Sequence, residues 1–139
     1  MRSKQPRTGP MSSRKILVVD DSALLRRLFS DILEMHDFEV DTACNGQEAL
    51  DYLATHEIPG LVLLDLIMPV MTGMQLLDIV HGDENFRGVP IVVLSSIADL
   101  ETPLLHGYPA MEKPVDLHAL VELTERYFAD RPTPCTNQT

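Results

Sequence analysis

The chain has 139 residues, 45% of them hydrophobic, which suffices for one domain with a buried core. Five of the 11 basic residues fall in residues 1–15, a stretch with no acidic residue. Residues 16–139 therefore carry 6 basic and 21 acidic residues, a formal net charge of −15. A surface this negative argues against nucleic-acid binding, and the lack of a long apolar run or a secretory leader argues against membrane insertion and predicts a cytoplasmic protein.

The two ends of the chain differ in composition from the middle. Residues 1–14 are polar and basic, contain two prolines and show no apolar periodicity. Residues 131–139 contain two further prolines and close on polar residues. We therefore expect disordered tails on either side of one domain at residues 15–130.

Three short runs between the tails are apolar throughout and end in polar residues. They cover residues 16–19, 61–64 and 91–94. Strands that are apolar on both faces are typical of parallel sheets covered by helices on both sides. Two weaker strands are predicted at residues 39–44 and 110–112, which gives five strands in all.

Amphipathic stripes predict helices between these strands. The stripes occupy residues 25–33, 49–53, 74–80 and 117–128, and the last can be capped by Asp116. Arg26 and Arg27 fall outside the first stripe, on the face that is expected to meet solvent. Pro103 interrupts the region between residues 97 and 109, so only a shortened fourth helix fits there. The order predicts an α/β fold with a five-stranded parallel sheet and helices on both faces.

Polar residues directly follow the buried strands at the carboxyl-end edge of this sheet, where open α/β folds bind ligands. They are Asp20, Asp21, Asp65, Ser95, Ser96 and Lys113. A single Asp after a strand is usually a turn or cap residue, but three converging carboxylates repel one another unless a cation neutralises them. Hard oxygen ligands that are few in number suit Mg²⁺. A carboxylate beside Mg²⁺, a lysine and a hydroxyl predicts a site that accepts a phosphoryl group.

The same residues resemble the receiver domains of two-component response regulators, closest in layout to the single-domain chemotaxis type. The resemblance covers residues 15–128. It rests on Ile-Leu-Val-Val-Asp-Asp-Ser at 16–22, Ala-Cys-Asn-Gly-Gln-Glu-Ala-Leu at 43–50, Leu-Leu-Asp-Leu-Ile-Met-Pro-Val-Met-Thr-Gly at 63–73, Pro-Ile-Val-Val-Leu-Ser-Ser at 90–96 and Lys-Pro at 113–114. It implies a flavodoxin-like fold with strand order 2-1-3-4-5 and a cis Lys113–Pro114 bond.

The resemblance also implies a role for each site residue. Asp65 would accept phosphate from a phosphohistidine, and Mg²⁺ would be held by Asp21, Asp65 and the backbone carbonyl of Ile67, with Asp20 holding its waters. Ser95 would be the switch hydroxyl and Lys113 the partner of a phosphoryl oxygen. The residues that shape the surrounding loops would be Pro69, Gly73 and Pro114.

The sequence departs from the family pattern in three places. Ala110 stands where the aromatic switch partner is usual, and Tyr108 is an aromatic residue two positions earlier. The stretch between Ser95 and Lys113 is short. Ile67 and Ile97 are apolar where polar side chains often influence the attacking water.

Three functions are weighed against these residues. The first is a stand-alone response regulator of the two-component type, a phosphoprotein that catalyses only its own phosphorylation and dephosphorylation. It would receive its phosphoryl group from a sensor histidine kinase or a histidine phosphotransfer protein. It would signal by protein contact or by onward phosphorelay. The second is a hydrolase with an aspartyl-phosphate intermediate, which Ile67 disfavours because it cannot transfer a proton. The third is a pseudo-receiver, an interaction module that is not phosphorylated.

Overall fold

The computed structural model describes residues 14–68, 70–86, 88–95 and 108–129. The C-terminal tail and all but the last residue of the N-terminal tail lie outside the described residues. So do Pro69 and Ile97, and so does the region 96–107, where the sequence predicts a shortened fourth helix. No described helix is both long enough and apolar enough to span a membrane.

Strands and helices alternate along the described chain. The strands are β1 (Lys15–Val19), β2 (Glu39–Ala43), β3 (Leu61–Asp65), β4 (Ile91–Ser95) and β5 (Ala110–Glu112). The helices are α1 (Ala23–Met35), α2 (Gly46–Thr55), α3 (Gly73–Gly82) and, after β5, α4 (Leu117–Ala129). A 3₁₀ turn at Glu84–Phe86, which no sequence pattern predicts, precedes β4.

The strands form one parallel sheet in the order β2-β1-β3-β4-β5, so the predicted fold and strand order are confirmed. The central strands β1, β3 and β4 are buried on both faces. Helices α2 and α3 contribute to the hydrophobic cluster on one face, and α1 and α4 to the cluster on the other.

Each helix begins with a side-chain cap close to the carboxyl end of the preceding strand. Ser22 accepts a hydrogen bond from the backbone N–H of the third residue after it, and Asn45 does the same at α2. Thr72 forms a reciprocal capping box with Gln75. Asp116 accepts from the first turn of α4, as predicted. These caps fix where the helices start, and therefore how long the strand-to-helix loops at the site are.

One expectation for α1 is wrong. Leu28 belongs by its spacing to the apolar stripe predicted at residues 25–33, but its side chain is 37% exposed. Phe29 and Leu33 form the buried line of this helix, and Leu28 lies at the margin of the stripe.

Candidate functional site

Three carboxylates meet at the carboxyl-end edge of the sheet. Asp20 and Asp21 follow β1, and Asp65 is the last residue of β3, which is the strand paired with β1. One oxygen from each carboxylate lies within 4.8 Å of the other two. Asp20 and Asp65 are buried, whereas Asp21 is exposed. The predicted convergence of the three carboxylates is therefore present.

Asp20 is held firmly but is left with one unsatisfied atom. Its backbone N–H donates to the carbonyl of Ala43 at 3.1 Å, and its Oδ1 accepts from the N–H of Ser22 at 2.9 Å. Its Oδ2 is buried and has no hydrogen-bond partner. Burial raises the pKa of Asp20, the Ser22 N–H opposes that rise, and the neighbouring Asp65 charge adds to it.

A buried oxygen without a partner costs about 1–3 kcal/mol. A divalent cation, or a water bound to one, placed against this oxygen would remove that cost and offset the repulsion among the three carboxylates. The donor set consists only of hard oxygens, which fits Mg²⁺. The residues present therefore fit the metal that the sequence predicts.

Lys113 reaches the same pocket from the other side. Its ammonium Nζ lies 2.9 Å from Oδ1 of Asp65, across 48 residues of chain, and that oxygen also accepts from the N–H of Ile67 at 3.3 Å. The N–H of Lys113 donates to the carbonyl of Ser95 at 2.8 Å, which fixes the turn after β5 against the end of β4. The predicted cis Lys113–Pro114 bond is confirmed.

The remaining predicted residues surround this centre where they fall among the described residues. Ser95 is buried at the end of β4, beside the strand that carries Asp65. Gly73 is buried at the start of α3, and Pro114 is exposed beyond Lys113. Their proposed roles in switching and in shaping the loops stay predictions.

The side chains that depart from the family pattern also have defined places. Ile67 is 64% exposed beside Asp65. Ala110 is exposed and pairs with Val93, so no aromatic ring stands at that position of β5. Tyr108 packs against the hydrophobic cluster formed with α2 and α3, and burial raises its pKa.

One contact at this site is not predicted by the sequence. Arg26, expected on the solvent face of α1, donates from Nη1 to the carbonyl of Asp20 at 2.7 Å. The available signal was its place in the first turn of the helix after the Asp20–Asp21 pair, because helical side chains lean toward the helix N-terminus.

Comparison with known proteins decides the family. The family model of the response regulator receiver domain matches residues 16–125. The chain belongs to the response regulator receiver domain family. Among curated relatives, the polar-differentiation response regulator DivK of Brucella anthropi is 28% identical to this chain over 121 residues. The aligned stretch covers 84% of this chain and 98% of the relative.

Solved receiver structures agree. The chemotaxis response regulator CheY4 of Vibrio cholerae superimposes with a TM-score of 0.74 at 28% identity, over 84% of this chain and 99% of that one. The receiver domain of NtrX from Brucella abortus gives a TM-score of 0.72 at 30% identity, with the same coverage of both chains. The resemblance drawn from the motifs is thus confirmed, and this protein is a receiver of two-component signalling.

Proposed function

We propose that this receiver domain accepts a phosphoryl group on Asp65 from the phosphohistidine of a sensor histidine kinase or a histidine phosphotransfer protein. The observation that carries the proposal is the 2.9 Å contact between the Lys113 ammonium and Oδ1 of Asp65, the carboxylate that lies close to those of Asp20 and Asp21. The Asp65 side chain is only 4% exposed, so a buried carboxylate lies next to a cation. Once Asp65 is phosphorylated, the same ammonium can bond to a phosphoryl oxygen instead.

The metal of this proposal is Mg²⁺. Asp21, Asp65 and the backbone carbonyl of Ile67 would hold it directly, and Asp20 would hold its waters. Bound there, Mg²⁺ supplies positive charge that offsets the three carboxylates and the incoming phosphoryl oxygens. The partnerless Oδ2 of Asp20 supports this assignment.

The transfer is a displacement at phosphorus. An Asp65 carboxylate oxygen forms the new P–O bond while the bond from phosphorus to the donor imidazole nitrogen breaks. The imidazole nitrogen keeps the electron pair and takes up a proton. Lys113 then bonds to a phosphoryl oxygen in place of Oδ1, and the Ser95 hydroxyl donates to another.

The signal would leave by protein contact or by onward transfer of the phosphoryl group, in the cytoplasm. Ala110 has no side-chain torsion to change, so rotation of an aromatic ring at this position cannot couple phosphorylation to a partner surface. The chain covers 98% of the length of its DivK relative, a response regulator, and we propose that the receiver domain itself presents a surface that signals.

Intact-mass measurement tests the proposal after incubation with acetyl phosphate and Mg²⁺. The wild type should gain one phosphoryl group, Asp65→Asn none, and the control Asp31→Asn, which changes an exposed carboxylate on α1, should match the wild type. An adduct that persists in Asp65→Asn would contradict the assignment of the acceptor. Absence of any adduct in the wild type would favour the pseudo-receiver.

A further inference from the structure

The side chain of Arg26, on α1, contacts the backbone of the pocket formed by Asp20, Asp21 and Asp65. Its guanidinium Nη1 donates to the carbonyl oxygen of Asp20 at 2.7 Å, and the contact is partly buried. The neighbouring Arg27 is 80% exposed and pairs only loosely with Asp31, at 3.7 Å. Two adjacent arginines therefore stand in different environments, and only Arg26 is connected to the pocket.

The carbonyl that Arg26 holds belongs to the peptide unit between Asp20 and Asp21. Because a peptide unit is planar, fixing its oxygen also fixes the direction in which the chain enters Asp21. Asp20 has further anchors in its bonds to Ala43 and Ser22. Within the described part of the chain, the Asp21 carboxylate accepts no hydrogen bond, so its position depends on the backbone that carries it.

The charge of Arg26 also reaches the start of α2. The charged groups that shift the pKa of Asp20 are Asp65, Lys113 and Asp21. The Arg26 charge lowers the pKa of Glu48, at the start of α2, as a smaller cause than the hydrogen bond from the N–H of Cys44. Arg26 thus contacts the pocket through a backbone hydrogen bond, and its charge is shared between the pocket and the start of α2.

We propose that Arg26 is a positioning residue for the metal pocket: it holds the Asp20–Asp21 peptide so that the exposed Asp21 carboxylate faces Asp20 and Asp65. This inference rests on the Mg²⁺ site of the proposed function. Removing an outer partner that orients a metal ligand weakens metal affinity by about tenfold or more. Removing a positive charge near three carboxylates would by itself strengthen cation binding, so the two effects have opposite signs.

The test is a titration with magnesium chloride, followed through the backbone amide resonances of residues 20–22. Arg26→Met removes the donor and keeps an apolar stem, and Arg27→Met is the matched control that removes the same charge one residue away. Arg26→Met should raise the Mg²⁺ dissociation constant about tenfold. Arg27→Met should leave it unchanged or lower it. Arg26→Lys, which restores a cationic donor, should recover most of the loss.

The outcomes separate the claims. A wild type that does not bind Mg²⁺ overturns the proposed metal site and this inference with it. A wild type that binds, with Arg26→Met binding as tightly or more tightly, overturns the inference alone. An Arg26→Lys variant no better than Arg26→Met also overturns it. Chemical denaturation without metal checks the fold of each variant. If Arg26→Met does not fold, Arg26→Gln, which has a shorter side chain than arginine, replaces it. The same loss of Mg²⁺ affinity is expected, and unchanged or tighter binding would again overturn the inference.

Discussion

The backbone of Gly73 lies directly against the peptide that carries Asp65. A β-carbon at residue 73 would lie 2.6 Å from the Cα of Leu66 and would collide with the carbonyl oxygen of Asp65. The N–H of Gly73 donates to the carbonyl of Leu66 at 2.9 Å. The first turn of α3 is therefore fixed onto the end of β3 by a contact that leaves no room for a side chain.

From this contact we expect Gly73→Ala to lower the free energy of unfolding by about 1–3 kcal/mol, because the overlap is with backbone atoms that cannot turn away. Phosphorylation of Asp65 should slow at the same time, since the peptide after the acceptor must shift. Gly82, the last residue of the same helix, has open space around it. Gly82→Ala is the control and should raise stability slightly. Chemical denaturation of both variants checks the prediction, and equal stabilities would contradict it.

Val70 has a backbone conformation that suits it poorly. Its φ is 68°, in the left-handed region that is unfavourable for β-branched residues, and its side chain is 79% exposed. We expect Val70→Asn to raise the free energy of unfolding by about 1 kcal/mol, because strain is relieved and little burial is lost. Asp37 has a similar φ of 71° but is a residue type that tolerates it. Replacing Asp37 by Asn should therefore change stability much less, and a destabilised Val70→Asn would refute the strain.

Asp20 should reduce stability at neutral pH. Its pKa in the folded state lies above the ordinary value of 3.8, chiefly through burial. Between the two values the folded state binds more protons than the unfolded state, so stability falls as the pH rises from 3.8 through the raised pKa. Asp20→Asn should therefore be more stable than the wild type at pH 7 without metal, with a smaller difference near pH 4. Denaturation curves at both pH values measure this, and a larger gain at the lower pH would contradict the sign.

Mg²⁺ should stabilise the wild type by mass action on the folded state. At a metal concentration ten times the dissociation constant the gain is about 1.4 kcal/mol. Asp21→Asn should lose this gain without losing metal-free stability, since Asp21 is exposed. Melting curves with and without magnesium chloride test both statements. The control Asp31→Asn should keep the full shift, and a shift retained by Asp21→Asn would remove that residue from the site.

Ile67 should prolong the life of the phosphorylated state. Its apolar side chain is 64% exposed beside Asp65 and cannot hold an attacking water by a hydrogen bond. Ile67→Asn adds one such bond, worth about 1 kcal/mol, and should speed loss of the phosphoryl group about fivefold. Decay of the adduct by intact mass gives the rate. The control Leu24→Asn changes an apolar residue on α1 with a similar exposure, 70%, and should leave the decay unchanged. An unchanged decay rate in Ile67→Asn would contradict the prediction.

Local patterns in the sequence were enough to predict the elements and the edge where the site lies. Residues 16–19, 61–64 and 91–94 are apolar without alternation, which is typical of strands covered on both sides, and each run is followed by a polar residue. Because parallel strands end at a common edge, the grouping of Asp20, Asp21 and Asp65 follows from their positions along the chain. The apolar stripes likewise predicted the four described helices, with Leu28 misplaced only because spacing alone does not show how wide the covered face is.

Tertiary structure decided what each polar group touches. Asp20 and Asp21 are adjacent and chemically identical, yet one is buried with a partnerless oxygen and the other is exposed, because burial depends on how neighbouring elements pack around each side chain. The 2.9 Å contact between Lys113 and Asp65 joins residues 48 positions apart, and Arg26 turned back to the Asp20 carbonyl instead of meeting solvent. A repeating pattern records which face of an element is apolar. It does not record distances between elements, and those distances set the charge, hydrogen bonding and desolvation at this site.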